Sequence, residues 1–319
     1  MRNKHVLITG GAGFIGSNLC RALLDDGNEV TCLDDLSSGS YGNIEDLMGR
    51  DGFSFVRHDV CEPFDIDADE IYHLACPASP IIYQERPVDT LRTCILGALN
   101  VLALAGKKGA RVLLASTSEV YGDPLVHPQS EDYRGNVSCT GPRACYDEGK
   151  RVSEALFFDH KRQYDTDICV IRIFNTYGPL MAPDDGRVIP NFICQALSGS
   201  DLTIYGDGSQ TRSICFISDL IRGLTEVMSK KEIKGPVNLG NPAEMSVKEL
   251  AERIIRLTGS SSGIVYCDLP EDDPVRRRPD ITLAENELGW SPAVDPEGGL
   301  KITIEYFRKY FDDDKQQLL

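Results

Sequence analysis

Short apolar runs alternate with longer stretches of helical periodicity through the first half of the chain. A buried-strand pattern over residues 5–9 ends in glycines, and a helical pattern over 14–26 comes next. Further strands are predicted at 29–33, 53–57, 70–74, 111–116 and 168–174, with helices at 88–106 and 145–163. Strand–helix alternation of this kind requires right-handed crossovers, and so a parallel sheet with helices on both faces. The later third mixes short strands at 202–205, 237–239 and 264–267 with helices near 218–228, 247–257 and 299–310. There is no internal repeat. The prediction is an α/β, doubly wound parallel sheet over residues 1–178 and a smaller C-terminal lobe over 179–319, with the chain crossing back between them. The acidic run Asp312-Asp313-Asp314 and the residues after it read as a solvated tail.

Composition narrows the partners. At ~150 residues per domain, 319 residues make two domains, or one large domain with a lobe. The balance of 33 Lys+Arg against 49 Asp+Glu leaves a net charge of −16. Such a chain lacks the basic surface that nucleic-acid binding needs, so no nucleic-acid partner is expected. A local basic pocket for an anionic small molecule remains compatible with it. Eleven cysteines are scattered without a C-x-x-C or a zinc spacing, so no metal is expected. Most sit in apolar runs such as Ile168-Cys169-Val170, which reads as buried reduced thiols and a cytoplasmic location. No apolar run approaches the ~20 residues of a membrane span, and no signal peptide fits, so no membrane partner is expected.

Gly10, Gly13 and Gly16 form G-x-x-G-x-x-G between the first strand and the first helix. Glycines there permit a tight turn, close approach of backbone to a pyrophosphate, and close helix–strand packing. The helix N-terminus, from Phe14 and Ile15, offers free N–H groups and a positive dipole end. Asp34 stands at about the spacing of a ribose-binding acid, with Asp35 as the rival for that role. A carboxylate there repels a 2′-phosphate, which points to NAD as cofactor. Asp59 and Val60, after the third strand, are candidates to meet the adenine. Leu74 and Ser116, at the ends of strands four and five, complete the expected cofactor contacts of a Rossmann-type sheet.

Tyr146 and Lys150 form Y-x-x-x-K on a predicted helix, so they share one face. A lysine ammonium beside a phenol lowers its pKa and makes it a usable base. Ser116-Thr117-Ser118-Glu119 ends the fifth strand, where ligands bind parallel sheets. There Thr117 can hydrogen-bond a substrate hydroxyl, and Glu119 brings a carboxylate.

The glycine loop, Thr117 and the Tyr146/Lys150 pair resemble those of the extended short-chain dehydrogenase/reductases, in the branch that acts on nucleotide sugars. Within that branch the runs 115–124 and 141–151, then Arg172–Pro179, Gly208–Arg212, Asp272-Asp273-Pro274, Arg277 and Pro279-Asp280, are similar to those of the UDP-glucuronate decarboxylases. The resemblance spans Lys4 to Phe311. It implies NAD-dependent oxidation at C4 of UDP-glucuronate, loss of CO₂ from the 4-keto acid and re-reduction to UDP-xylose. It assigns Thr117, Ser118, Glu119, Tyr146, Lys150 and Arg277 to catalysis. It assigns Tyr83, Asn175, Asn191, Tyr205, Arg212 and Arg277, with Thr117, to the nucleotide sugar. Arg212 would clamp the diphosphate, and Arg277 either the diphosphate or the sugar carboxylate. Ser118 stands where 4,6-dehydratases carry an acid for the leaving hydroxyl, which argues against dehydration. A 4-epimerase, a dehydratase, an oxidase stopping at the 4-ketopentose, and a non-catalytic NAD-binding sensor stay open. The helices at 88–106 and 145–163 are those that resembling enzymes pair into a homodimer. Arg134, Ser138-Cys139-Thr140 and Cys94 depart from the family pattern, and the first two are expected near the sugar.

Overall fold

The computed structural model describes residues 3–268 and 276–317, with side chains through Phe311. Asp272-Asp273-Pro274 therefore lies outside the described residues.

Seven strands form one parallel sheet: β1 (His5–Thr9), β2 (Glu29–Asp34), β3 (Phe53–Arg57), β4 (Glu70–His73), β5 (Arg111–Thr117), β6 (Ile168–Ile173) and β7 (Val237–Leu239). The spatial order is β7-β6-β5-β4-β1-β2-β3. The chain starts in the middle, runs outward to β3, then returns to build the other half. The order reverses between β1 and β4, which opens a crevice at the strands' carboxyl ends. β1 shows how the sequence commits to two covered faces. Val6 and Ile8 enter one core cluster and Leu7 the other, because successive side chains of a strand point to opposite faces.

The helices are α1 (Phe14–Asp25), α2 (Pro80–Glu85), α3 (Pro87–Arg92), α4 (Ala98–Lys108), α5 (Ala144–Tyr164), α6 (Val188–Ser198), α7 (Ile217–Ser229), α8 (Val247–Thr258) and α9 (Pro296–Gln317). The single helix expected at 88–106 is a rod in which a π turn, Thr93–Gly97, joins α3 to α4. By length and composition alone that rod, Pro87–Lys108, suffices to cross a membrane, contrary to the reading of the apolar runs. Its buried positions Val101, Leu102 and Ala105 pack in the cluster that covers one sheet face.

Beyond residue 179, β7 joins the seven-stranded sheet and α7 packs on it. The rest builds a three-stranded sheet in the order Glu244–Ser246, Thr211–Ser213, Arg276–Arg277. Helix α6 and these two- and three-residue strands go beyond the sequence reading; the strands are too short to carry a period. Leu202–Tyr205 pairs in parallel with Ile264–Cys267. α9 runs on to Gln317, so residues 312–314 continue a helix rather than begin a tail.

Candidate active site

A cavity of about 720 Å³ lies at the carboxyl ends of the strands, under the lobe. Every residue expected at the site lines it: the glycines, Asp34, Asp35, Asp59, Val60, Leu74, Ser116–Glu119, Tyr146 and Lys150 from the sheet domain. Asn175 follows β6 at the sheet's end, Asn191, Tyr205, Arg212 and Arg277 come from the residues after 179, and Tyr83 from α2.

The glycine loop is a cradle with no room for side chains. A Cβ on Gly16 would fall 2.1 Å from the Gly10 carbonyl oxygen, and one on Gly10 2.7 Å from the Ala75 nitrogen. Gly10 also holds a φ of +72°, which glycine adopts at little cost. Asp34 is buried and accepts from the Ala12 N–H at 3.0 Å and the Leu36 N–H at 2.9 Å. Asp35 instead accepts from the Ser37 N–H and hydroxyl. Asp34 is thus the acid built into the loop, and the cradle fits a dinucleotide pyrophosphate followed by a ribose. Ser116 differs from expectation in its hydroxyl, which donates to Glu154 at 2.6 Å. Glu154 in turn takes a bidentate pair from Arg172. This buried ion pair ties α5 to β5 and β6, and sequence spacing holds no sign of it.

Tyr146 is buried and its ring stacks on Tyr83, with centroids 5.1 Å apart and planes 4° from parallel. Burial, then Cys76, pushes the Tyr146 phenol up, while the Thr117 hydroxyl and Arg187 pull it back. Lys150 donates to the Ala115 carbonyl at 2.9 Å and is not among the groups that lower the phenol. The phenol stands above its ordinary value, so the lowering expected of the Tyr146/Lys150 pair is not found in this structure. Thr117 caps the short turn after β5 by accepting from the Glu119 N–H at 3.2 Å.

Glu119 anchors the far wall. Arg143 reaches its carboxylate at 2.5 Å and Arg277 at 3.0 Å. Burial would raise the Glu119 carboxyl, but the two guanidiniums outweigh it and hold it below its ordinary value. Arg277 also donates to the Ser118 carbonyl at 2.6 Å. It is 1% exposed, and its Nε has no hydrogen-bond partner among the described residues. Arg276 beside it is exposed. The register pairs Arg277 with Arg212, so two guanidiniums stand on neighbouring strands at one end of the cavity. Arg143, Arg187 and Cys76 line the cavity without having been assigned a role from sequence. Arg134 and Ser138–Thr140 are exposed and outside the cavity lining, so the expectation that they lie near the sugar fails.

Comparison with known proteins agrees with this geometry. The model of the "NAD dependent epimerase/dehydratase family" matches residues 6–240. UDP-glucuronic acid decarboxylase 1 of Xenopus tropicalis is 53% identical over 306 residues, covering 96% of this chain and 72% of the relative. UDP-glucuronic acid decarboxylase 5 of Arabidopsis thaliana is 52% identical, covering 96% of this chain and 90% of the relative. The solved UDP-glucuronic acid 4-epimerase of Bacillus cereus, in complex with UDP-glucuronic acid and NAD, superimposes with a TM-score of 0.87 at 28% identity. That match covers 96% of this chain and 99% of the epimerase. With a glycine cradle, a buried ribose acid and a Tyr–Lys pair in place, the chain belongs to the NAD dependent epimerase/dehydratase family.

Proposed function

We propose that the protein is a UDP-glucuronate decarboxylase that uses NAD catalytically and yields UDP-xylose. The observation that carries this reading is the likeness to UDP-glucuronic acid decarboxylases at about half identity over 96% of the chain. The buried Glu119–Arg277 pair in the cavity supports it. Bound in the cradle, NAD supplies the hydride acceptor for C4 and later the donor. Tyr146 takes the C4 hydroxyl proton, and the resulting 4-keto acid has its carboxylate β to the carbonyl. The C–C bond then breaks as CO₂ leaves, and its electron pair enters an enolate. Tyr146 and Thr117 stabilise that oxygen by hydrogen bonding. A proton from solvent water replaces the lost carboxylate at C5, and Tyr146 gives its proton back to the C4 oxygen as the hydride returns. Lys150, held on the Ala115 carbonyl, meets one ribose, and Asp34 takes the other. Arg212 and Arg277 meet the diphosphate and the carboxylate, whose two anions match the two neighbouring guanidiniums.

Purified protein incubated with UDP-glucuronate is expected to release CO₂ and a UDP-pentose by mass. A product of unchanged mass overturns the reading in favour of epimerisation, and loss of water in favour of dehydration.

Two further readings belong to this proposal. The first is a homodimer through α4 and α5. Val88, Leu96, Leu99 and Ala103 are exposed on the Pro87–Lys108 rod at helical spacing, and Val152 and Ala155 on α5 beside it. A second copy of the same two helices is the partner this apolar stripe fits. The second is location. All eleven cysteines are free thiols, which supports a reducing, cytoplasmic compartment.

A further inference from the structure

Beside the cofactor cradle two sulfur atoms nearly touch. Cys76, in the bend after β4, and Cys94, in the π turn, have their sulfurs 3.4 Å apart. Cys76 lines the cavity and is partly exposed, while Cys94 is buried. Cys94 is held in place from behind: a Cβ on Gly149 of α5 would stand 3.0 Å from its sulfur. The two thiols are therefore inequivalent. Either sulfur can donate to the other; the Cys94 contact, with Lys150 nearby, outweighs burial and lowers the Cys76 thiol to about 7, while Cys94 is pushed up. A low-pKa, accessible thiol beside a protonated partner is the arrangement of an attacking and a resolving cysteine.

We propose that Cys76 and Cys94 are a peroxide-sensing pair whose reversible disulfide disables the cofactor site. The Cys76 thiolate attacks a peroxide oxygen, the O–O bond breaks, and a sulfenic acid forms with release of hydroxide. Cys94 gives up its proton and attacks the Cys76 sulfur, and the sulfenic hydroxyl leaves as water. Two thiols are oxidised by two electrons in all, and one peroxide is reduced to two waters. A dithiol reductant reverses the change by exchange.

Closure has a structural consequence. The sulfurs must approach from 3.4 Å to a bond of about 2.05 Å. Cys94 is braced by α5, so the bend carrying Cys76 moves. The Ala75 nitrogen next to it already lies where a Cβ on Gly10 would fall within 2.7 Å, so this bend is one wall of the pyrophosphate turn. Three residues on, Ser79 leads into α2, whose Tyr83 stacks on Tyr146. A displacement of ~1 Å in a positioning element costs up to ~10²-fold in turnover.

The test treats whole protein with hydrogen peroxide near neutral pH, then maps its peptides and measures turnover and NAD affinity. The expected result is a Cys76–Cys94 linked peptide, with turnover and NAD affinity each lowered about tenfold or more and restored by dithiothreitol. In Cys94→Ser, made in a Cys145→Ser background because Cys145 is the other thiol close to Cys76, prolonged peroxide should drive Cys76 to sulfinic acid and dithiothreitol should not restore the protein. Absence of the linked peptide in the unmodified chain overturns the proposal. So does a linked protein with undiminished turnover and NAD affinity, or a Cys94→Ser variant in that background that is still reversibly inactivated. Activity as a readout rests on the decarboxylase reading, whereas peptide mapping and NAD affinity need no sugar substrate. Those two decide the cysteine proposal even if that reading fails.

Discussion

The Arg277 guanidinium lies 3.0 Å from the Glu119 carboxylate, joining residues 158 apart in the chain across the floor of the cavity. The lobe strand that carries Arg277 is thereby fixed to the end of β5, so the substrate-facing and cofactor-facing walls are set by one buried ion pair. Arg143, just before the first residue of α5, holds the same carboxylate. Glu119 is the shared partner, so removing it strips both guanidiniums, whereas removing one arginine leaves the carboxylate with the other.

Arg277→Ala is expected to lower kcat/KM for UDP-glucuronate at least tenfold while bound NAD is kept. Losing a hydrogen bond to a charged group costs ~1.5–3 kcal/mol, which is about tenfold or more in rate. Arg276 is exposed and Arg278 is half-buried near Glu244, so their alanine variants should do less. Steady-state kinetics on the three variants decides it. Equal losses, or a silent Arg277→Ala, mean the cluster is structural.

Tyr146→Phe removes the proton acceptor and keeps the ring that stacks on Tyr83. The variant should fold and melt close to the parent, with turnover reduced ~10²–10⁴-fold. Near-parental turnover in a folded variant refutes the oxidation step at C4.

Asp34 decides the dinucleotide. Its carboxylate is buried at the end of β2 and locked by two backbone N–H groups, so it cannot swing aside for a 2′-phosphate. Nucleotide extracted from purified protein should be NAD. Predominantly NADP would remove Asp34 from the ribose.

The sheet is legible in the sequence because its strands are short apolar runs with unmistakable punctuation at Gly10, Gly13 and Gly16. The lobe is less so. The strand that places Arg277 is two residues long and exists only by pairing with Arg212's strand. The pair Glu154–Arg172, the stacking of Tyr83 on Tyr146 and the contact between Cys76 and Cys94 all join distant segments. Local pattern carries no information about such meetings. Residue identity at Thr117, Tyr146 and Lys150 is readable, but not that Lys150 rests on the Ala115 carbonyl. Arg134 illustrates the opposite error: its carbonyl accepts from Arg151 of α5, near Tyr146, yet the residue is exposed and does not line the cavity.

His73 gives the fold a dependence on pH. It is buried at the end of β4, with Nδ1 2.8 Å from the Thr9 hydroxyl. Burial, with Lys150 adding to it, pushes the imidazole from 6.5 down to about 3. Above pH 6.5 the ring is neutral in both folded and unfolded chains and contributes no slope. Below it the unfolded chain binds a proton that the folded one refuses, so stability is lost as the pH falls towards 3. One such proton is worth ~1.4 kcal/mol per pH unit. Denaturant melts between pH 6 and pH 4 should therefore show a shallower slope for His73→Asn than for the parent, by about one proton. Parallel slopes would show that His73 is protonated in the fold.

Assembly is tested at the apolar stripe. Leu99 is 43% exposed and Val88 71% exposed, while Val101, Leu102 and Ala105 on the same rod are buried in the protein's own core. One face of the rod therefore serves the monomer, and the other presents leucines to solvent. A contiguous apolar patch of this kind marks an interaction surface. Pairing the rod and α5 with their symmetry copies would bury the stripe in a four-helix contact, as isologous association requires. Light scattering at micromolar concentration should give twice the chain mass. Leu99→Asp puts a charge at the middle of that contact but on the open surface of a monomer. It should convert the dimer to a folded monomer with the parent's circular dichroism. A parent that is monomeric at that concentration, or a Leu99→Asp variant that stays dimeric, places the partner of these helices elsewhere.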